Sequence, residues 1–257
     1  IFMGYWRNDG ISSWLDRRGW SYLVFDGTGD YVYCGTGLGS ALTNPSAYSG
    51  SLTVSMWLQS DQTAGDDGIF AWDVVGNFGE FDLSGYGNKL RMTVDDNTWR
   101  REIAFTSNEW THVVCVFDAS SESNTRIYIN GADGGDGTTG GTFGSIGNLD
   151  LDGKRFEIGS YYTSGSYPFQ GAIANCAVYS DAKSASFIST QYSNGIDADL
   201  SSDSNLIGYW KLDTASTSSN AITDLSPNSN HGTISGNPPL TAVALDSTDN
   251  NNEGTLV

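Results

Sequence analysis

Apolar and polar residues alternate along this chain in many short runs. In the run at 52–58, Leu52, Val54, Met56 and Leu58 share one face and the residues between them share the other. Alternation with period two is typical of a β-strand with one face in the core. Comparable runs, bounded by glycine, asparagine or aspartate turns, occur at 69–72, 79–83, 89–94, 103–105, 110–117, 126–129, 155–158 and 169–179. Many short strands without interleaved helices predict an all-β, antiparallel sandwich.

One helix is predicted after the last of these runs. Asp181 can cap its N-terminus and Gly195 can end it. Phe187, Ile188 and Tyr192 fall on one side of such a helix. We expect this apolar side to pack over the end of the sandwich.

One short sequence pattern occurs twice. Residues 3–7 read Met-Gly-Tyr-Trp-Arg, and residues 207–211 read Ile-Gly-Tyr-Trp-Lys. The repetition suggests a duplicated opening element. Either a second sandwich begins near residue 205 and is cut short, or the second copy packs back on the first domain. Both interpretations predict a boundary in the polar stretch before it, with one domain at 1–200 and a C-terminal extension at 201–257.

The composition is that of a globular and strongly acidic chain. Of its 257 residues, 38% are hydrophobic, and 12 basic against 30 acidic residues give a net charge of −18. This charge repels phosphate backbones and anionic lipids, so nucleic acid is not expected as a partner. No apolar run approaches the about 20 residues of a membrane helix, so membrane insertion is not expected either.

The three cysteines, Cys34, Cys115 and Cys176, each lie inside an apolar, strand-like run. No Cys-x-x-Cys or histidine-rich spacing accompanies them, so a zinc site is not predicted. We expect at least two of them to be buried free thiols that pack as small hydrophobic side chains. A disulfide between Cys34 and Cys176 is the alternative.

Four stretches of the chain, taken together, resemble a known family. They are 23–32 (Leu-Val-Phe-Asp-Gly-Thr-Gly-Asp-Tyr-Val), 52–57 (Leu-Thr-Val-Ser-Met-Trp), the pair 110–114 and 127–131 (Trp-Thr-His-Val-Val and Ile-Tyr-Ile-Asn-Gly), and 169–179 with the helix that follows. In this order and spacing they resemble the laminin-G-like domains of the concanavalin A-like lectin/glucanase superfamily. The resemblance implies an antiparallel jelly-roll β-sandwich with one short helix.

Two further details bear on this resemblance. Residues 208–213 and 224–233 are similar to the segment that often introduces such domains, which favours a C-terminal extension resembling the start of a second unit. The closing strand departs from the family, because Ala174 and Asn175 stand where relatives often carry an acidic pair. That change removes side chains that could serve a cation.

Hydrolases of this superfamily alternate acidic residues along one strand, which places acid and nucleophile in one groove. Glu80 and Asp82 alternate in this way, but the third acidic position is Ser84. His112 and His231 have no Gly-x-Ser-x-Gly elbow beside them and are interpreted as structural. We therefore predict that the protein is not an enzyme.

Calcium is the expected cofactor, since hard cations bind several carboxylate and carbonyl oxygens. Asp26 and Asp30 flank a Gly-Thr-Gly turn that can curl backbone carbonyls toward a cation, so they are the predicted metal ligands. The alternative is that these aspartates only bond their own backbone, as aspartate does in ordinary turns. Other acidic loop positions are Asp61, Asp66, Asp67, Asp150 and Asp152.

Aromatic residues near turns are the candidates for glycan binding, because sugar faces stack on exposed rings. The predicted ligand-binding residues are Tyr161, Tyr162, Tyr167, Trp99 and Tyr86. Tyrosine is equally common in protein interfaces, so a protein partner is the alternative.

These observations predict a non-catalytic lectin-like or adhesion module that binds glycan or protein outside the cytoplasm, on an extracellular, cell-surface or virion site. A structural assembly protein is the alternative, such as a virion decoration or fibre component or a surface-layer part that forms homo-oligomers. A glycoside hydrolase comes third, because its acidic motif is incomplete.

Overall fold

A computed structural model describes residues 21–60, 66–73, 79–105, 109–161, 166–213, 217–218, 220–236, 241–244 and 254–255. These residues form two antiparallel sheets packed face to face, with one α-helix, which confirms the predicted jelly-roll sandwich. The strands, in chain order, are β1 (Ser21–Asp26), β2 (Tyr31–Tyr33), β3 (Leu52–Ser60), β4 (Asp66–Asp73), β5 (Phe81–Tyr86), β6 (Lys89–Val94), β7 (Trp99–Ala104), β8 (Thr111–Phe117), β9 (Arg126–Ile129), β10 (Ala132–Asp133), β11 (Thr138–Gly141), β12 (Arg155–Ile158), β13 (Gln170–Tyr179), β14 (Leu206–Trp210), β15 (Thr217–Ser218), β16 (Ala221–Ile222), β17 (Gly232–Ser235), β18 (Thr241–Ala244) and β19 (Gly254–Thr255).

The strand order separates the chain into two layers. In sheet A the order is β10-β9-β8-β3-β13-β1-β18-β19, and β14 also pairs with β13. In sheet B the order is β11-β7-β6-β5-β4-β12-β2-β17-β16-β15. Single turns of 3-10 helix lie at Leu38–Ala41, Pro45–Ala47, Glu122–Asn124 and Phe143–Ser145. No helix of the described residues is long and apolar enough to cross a membrane.

Strand β3 shows how the core forms. Its predicted inward residues, Leu52, Val54, Met56 and Leu58, are all at most 1% exposed and belong to the core between the sheets. The opposite face, which includes Ser55 and Trp57, is buried as well. Sheet A is therefore covered on both faces in this region.

Helix α1 (Ala185–Asn194) covers the face of sheet A that points away from sheet B. Its Ile188 packs on Val114 and Val116, which lie on the outer face of β8. The expectation that this helix packs over the end of the sandwich is wrong: it lies against the outer face of sheet A. The N-cap also differs, because Ser184, not Asp181, accepts the hydrogen bond from the Phe187 amide (3.3 Å).

The C-terminal segment, meaning the described residues of 206–236, belongs to the same sandwich. Strand β14 extends sheet A by pairing with β13, and β17 extends sheet B by pairing with β2. Trp210 is fully buried and stacks on Phe156 of β12, with ring centroids 5.5 Å apart. The expected boundary after residue 200 therefore does not separate two packing units, because this segment supplies core side chains to the first domain. The earlier copy of the pattern, at residues 3–7, lies outside the described residues.

All three cysteines are buried free thiols, where the sequence predicted at least two, and the alternative disulfide is not present. Burial raises the pKa of each thiol. These side chains therefore act as small apolar groups of the core.

Candidate functional site

The turns at one end of the sandwich bring most of the predicted site residues together. Strand β5 finishes at Tyr86 opposite the first residue of β4, and β12 finishes at Ile158 opposite Phe70 before the chain continues to Tyr161. The β1–β2 turn at 26–30 reaches the same end, because Asp26 pairs with Gln170 at the start of β13. We call this the tyrosine end, defined by the turns 26–30 and 86–89 and by the described residues of the loop 159–169, which are 159–161 and 166–169.

The loop 159–169 is held directly against β4. The Gly68 amide donates to the Tyr167 carbonyl (2.8 Å), and the Phe169 amide donates to the Gly159 carbonyl (2.9 Å). A Cβ atom on Gly68 would lie 2.1 Å from the Tyr161 nitrogen. Only glycine at this position lets the loop approach so closely, so Gly68 fixes where the tyrosines of the loop stand.

Two tyrosines of this loop have different roles. Tyr167 is 49% exposed, whereas Tyr161 is 7% exposed, and their rings meet edge to face with centroids 5.9 Å apart. The buried ring thus supports the exposed one. Tyr162, the third predicted residue of this stretch, lies outside the described residues.

Tyr86 forms the second exposed ring of this end. It is 42% exposed, and the Arg91 guanidinium lies over the ring, 3.4 Å from the centroid. Glu102 holds the guanidinium through Nε (2.9 Å) and also pairs with Lys89 Nζ (3.0 Å). Burial alone would raise the pKa of Glu102, but these bonds from Lys89 and Arg91 outweigh it and lower the pKa. The ring is therefore supported from beneath by a fixed cation.

The two exposed tyrosines stand on either side of the start of β4. Tyr86 pairs with Asp66, and the Tyr167 carbonyl bonds to Gly68. Since neighbouring strands are about 4.8 Å apart, the two backbones are separated by roughly 10 Å. Asp67 lies between them and is 8% exposed.

Trp99 is a correction to the predicted site. It begins β7 opposite Val94, at the other end of sheet B, and it is fully buried. Its indole nitrogen donates to Glu122 Oε1 (3.0 Å), and its ring packs against Phe143. A ring enclosed by the core offers no face to a sugar, so Trp99 is a core residue.

The predicted metal ligands also lie at the tyrosine end. The hydroxyl and amide of Thr28 both donate to Asp26 Oδ1 (2.7 Å each) and lower the pKa of Asp26. Asp30 is 1% exposed, and burial, together with the nearby Asp26, raises the pKa of Asp30 to about 6. The described residues contain no group of three histidine, cysteine, aspartate or glutamate side chains that could hold a metal.

The acidic strand pattern does not form an open catalytic groove. Asp82 is fully buried and accepts a hydrogen bond from Thr93. Glu80 is half-buried, accepts from the Asp150 amide (3.2 Å), and has a pKa raised by burial. Glu157 lies on the same face as Asp82, because Ala71 pairs with both residues, and it is 2% exposed. Neither buried carboxylate is accessible to a substrate.

Two features of this region were not evident from the sequence. Arg91 supports Tyr86 from the neighbouring strand, and Glu157 lies across Ala71 from Asp82. Both relationships depend on strand register, and no local motif indicates them. A shallow cleft of about 250 Å³, lined in part by Phe117, Phe143 and Ile146, lies away from the tyrosine end.

The family model described as the concanavalin A-like lectin/glucanases superfamily, in its laminin G branch, matches residues 26–189. The chain belongs to this superfamily. No curated protein matches the sequence significantly. Among solved structures, the chain is similar to a protein from Bacteroides ovatus that is provisionally assigned to carbohydrate binding. The two share 18% sequence identity with a TM-score of 0.63, and the match covers 89% of this chain and 61% of the Bacteroides ovatus protein. The SAP-like pentraxin of Limulus polyphemus follows at 18% identity and a TM-score of 0.49, over 68% of this chain and 83% of that one.

At these identities the similarity shows the fold alone. The chain spans about three fifths of the length of the Bacteroides ovatus protein. The superfamily match ends at residue 189, before the C-terminal segment that completes both sheets.

Proposed function

We propose that this protein is a non-catalytic, lectin-like module that binds a glycan across the tyrosine end. The proposal depends on one observation: Tyr86 and Tyr167 are exposed rings on either side of the start of β4. In the described residues, the only other large hydrophobic side chain with comparable exposure is Leu225. Two of the three thus lie at one end.

Both rings are fixed before any ligand arrives. Arg91 and Glu102 hold the ring of Tyr86, and Tyr161 with the Gly68 contact holds that of Tyr167. Sugar rings present an apolar C–H face that packs on an aromatic ring. A fixed ring loses little conformational entropy on binding, which favours affinity.

The charge distribution favours a neutral glycan. The chain carries a net charge of −18, and Asp26, Asp30 and Asp67 lie at the tyrosine end. The nearby cations Lys89 and Arg91 are both paired with Glu102. An acidic sugar would meet the repulsive field of the acidic chain, and the two cations named here are already engaged by Glu102.

The acidic residues of sheet B support a non-catalytic role. Asp82 and Glu157 are at most 2% exposed and are engaged by Thr93 and by Arg155 and Ser160. The third position of the hydrolase pattern is Ser84. Carbohydrate binding is also the provisional assignment of the Bacteroides ovatus protein, which supports the glycan as the ligand class.

A glycan array followed by calorimetric titration tests the proposal. We expect Tyr86→Ala and Tyr167→Ala each to weaken binding about two- to tenfold, the range of one aromatic contact. Tyr86→Phe retains the ring and should bind like the wild type, and Leu225→Ala is the control for an exposed apolar residue elsewhere. Retained binding in both alanine variants would refute the site. A stable oligomer that binds no sugar would instead support the assembly role.

We also propose that the protein acts at an extracellular, cell-surface or virion site, where glycans of other surfaces are met. Antibody labelling of intact cells or particles, compared with labelling after lysis, tests this location. Labelling that requires lysis would contradict it.

A further inference from the structure

Lys183 is a buried lysine just before helix α1. Its side chain is 4% exposed, and its Nζ lies 4.5 Å from the ring centroid of Tyr179 and 4.8 Å from that of Phe187. The Nζ donates to the Ser204 carbonyl (2.6 Å) and lies 3.0 Å from Asp181 Oδ1 and 3.3 Å from Asp181 Oδ2. A lysine is rarely buried unless it is paired, so these contacts hold the amine in one position.

The carboxylate of Asp181 joins this amine to a side-chain amide. Asn205 Nδ2 donates to Asp181 Oδ2 (3.0 Å), the same oxygen that Lys183 Nζ approaches to 3.3 Å. Asn205 directly follows Ser204, whose carbonyl accepts a hydrogen bond from the same Nζ. Helix α1 separates Lys183 from Asn205 in the sequence, yet the two side chains meet at one carboxylate.

The backbone fixes both partners. The Lys183 amide donates to Thr53 Oγ1 (3.0 Å), and this hydroxyl donates to the Asp181 carbonyl (2.7 Å). The Ser180 amide donates to the Asn205 carbonyl (2.9 Å), which continues the pairing of β13 with β14. Groups fixed in this way meet without the loss of translational and rotational freedom that slows a reaction between separate molecules.

We propose that Lys183 and Asn205 form an intramolecular isopeptide bond, with Asp181 transferring the protons. The lone pair of the neutral Nζ forms a bond to Asn205 Cγ, and the bond between Cγ and Nδ2 breaks. Both protons that the Lys183 ammonium gives up pass through Asp181 to Nδ2, which leaves as ammonium. The product is an amide, Asp181 is a carboxylate again, and the reaction consumes no oxidant and no cofactor.

The surroundings favour this step. Little water reaches the Lys183 side chain, and proton transfer from an ammonium to a carboxylate costs less where the ions have lost hydration. The Asp181 side chain is 36% exposed, which gives the released ammonium a path to solvent.

The bond closes the segment 183–205 into a covalent ring that contains helix α1. It joins the residues just before the helix to the start of β14, so the helix stays attached to the outer face of sheet A. A cross-link of this kind stabilises the folded state by restricting the unfolded chain, as a disulfide does. The bond lies at the last residues of β13, away from the tyrosine end, and does not depend on glycan binding.

Intact-mass measurement of the full chain tests the bond. We expect the protein to be lighter than its sequence mass by one ammonia. Cleavage by chymotrypsin after Phe187 and Tyr192 separates the peptide with Lys183 from the peptide with Asn205, and the two should remain covalently linked. This linkage distinguishes the isopeptide bond from a succinimide, which also loses ammonia but joins no second peptide.

Variants locate the reaction, with circular dichroism to confirm that each one folds. Lys183→Arg retains the charge but removes the amine, and Asn205→Ala changes an exposed position and serves if Lys183→Arg does not fold. Both should have their full sequence mass. Asp181→Ala keeps both reactants and should slow the linkage at least about tenfold, since proton transfer by a positioned group is lost.

Lys211→Arg is the matched control. Lys211 also pairs with an aspartate, Asp213 (3.4 Å), and this variant should retain the loss of ammonia and the linked peptides. A wild-type protein with its full sequence mass would overturn the inference. So would a loss of ammonia that persists in both Lys183→Arg and Asn205→Ala.

Discussion

Replacing Trp210 by alanine removes a ring that the C-terminal segment contributes to the core. The side chain is fully buried, stacks on Phe156 at 5.5 Å, and donates from its indole nitrogen to the Asn230 carbonyl (2.8 Å). Truncation of a buried tryptophan costs about 3–5 kcal/mol, and a carbonyl that loses its donor adds roughly 1 kcal/mol. We therefore expect Trp210→Ala to lower the free energy of unfolding by about 4–6 kcal/mol.

This loss is large compared with a total stability of about 5–15 kcal/mol. It corresponds to a decrease in Tm of roughly 10–20 °C for a domain of this size. Urea unfolding followed by far-UV circular dichroism is the suitable assay, because the chain has 8 tryptophans and the substitution itself changes the fluorescence.

Two further variants make the test specific. Trp210→Phe retains a ring against Phe156 and loses the bond to Asn230, so it should cost clearly less than alanine. Leu225→Ala, at a 38% exposed position in the same segment, should change stability by about 0.5 kcal/mol or less. If Trp210→Ala left the main unfolding transition unchanged, the segment would be an independent unit and the reasoning from its strand pairing would fail.

Two other predictions concern the helix cover and the tyrosine loop. Burial lowers the pKa of His112 from 6.5 to about 4, so in this pH range the unfolded chain binds a proton that the folded chain does not, and the free energy of unfolding should fall by up to about 3 kcal/mol as the pH drops from 6.5 toward 4. Urea unfolding at several pH values should show that His112→Gln removes this part of the pH dependence and that His231→Gln retains it. An unchanged pH dependence in His112→Gln would contradict the assignment to His112. Gly68→Ala should lower the free energy of unfolding by about 1–3 kcal/mol, because the new Cβ would lie 2.1 Å from the loop backbone. Gly144→Ala is the control, since nothing lies within 4 Å of a Cβ at that position, and its Tm should stay close to that of the wild type. Equal Tm values for the two variants would show that the loop can move aside without loss of stability.

The effect of His112 follows from its surroundings. Its Nε2 pairs with Ser55 Oγ (3.1 Å), and Ser55 donates to Gln191 of the helix (2.7 Å). The Nδ1 atom has no partner among the described residues. Trp57 and Tyr192 enclose the ring, so burial disfavours the charged imidazolium, and the hydrogen bond of Gln191 offsets only part of this effect on the pKa.

The exposure of the aromatic residues at strand ends could not be predicted from the local sequence. Tyr86 and Trp99 each lie near the end of a strand beside polar turns, and the sequence nominated both. The structure exposes the first and encloses the second, because Phe143 and Glu122, distant in sequence, pack around Trp99. The exposure of a side chain at a strand end depends on which segment of the chain covers it, and that segment can be distant in sequence.

The predicted metal ligands show the opposite case. Asp26 and Asp30 are four residues apart, and the glycines between them dictate a tight turn, so the proximity of the two carboxylates follows from the local sequence. The sequence could not predict that Asp30 Oδ1 is buried without a hydrogen-bond partner among the described residues. That atom is buried because Gly236 closes over it from the C-terminal segment.

The sequence by itself indicated most of the long strands, the inward face of β3 and the family, because period-two patterning and turn residues act within a few positions of one another. Leu52, Val54, Met56 and Leu58 needed no partner to be assigned to the core. The tertiary structure alone decided that Ser55 on the opposite face is buried too, and that Trp210 completes the same sandwich. These outcomes depend on contacts between distant segments, whose register and packing no local pattern specifies.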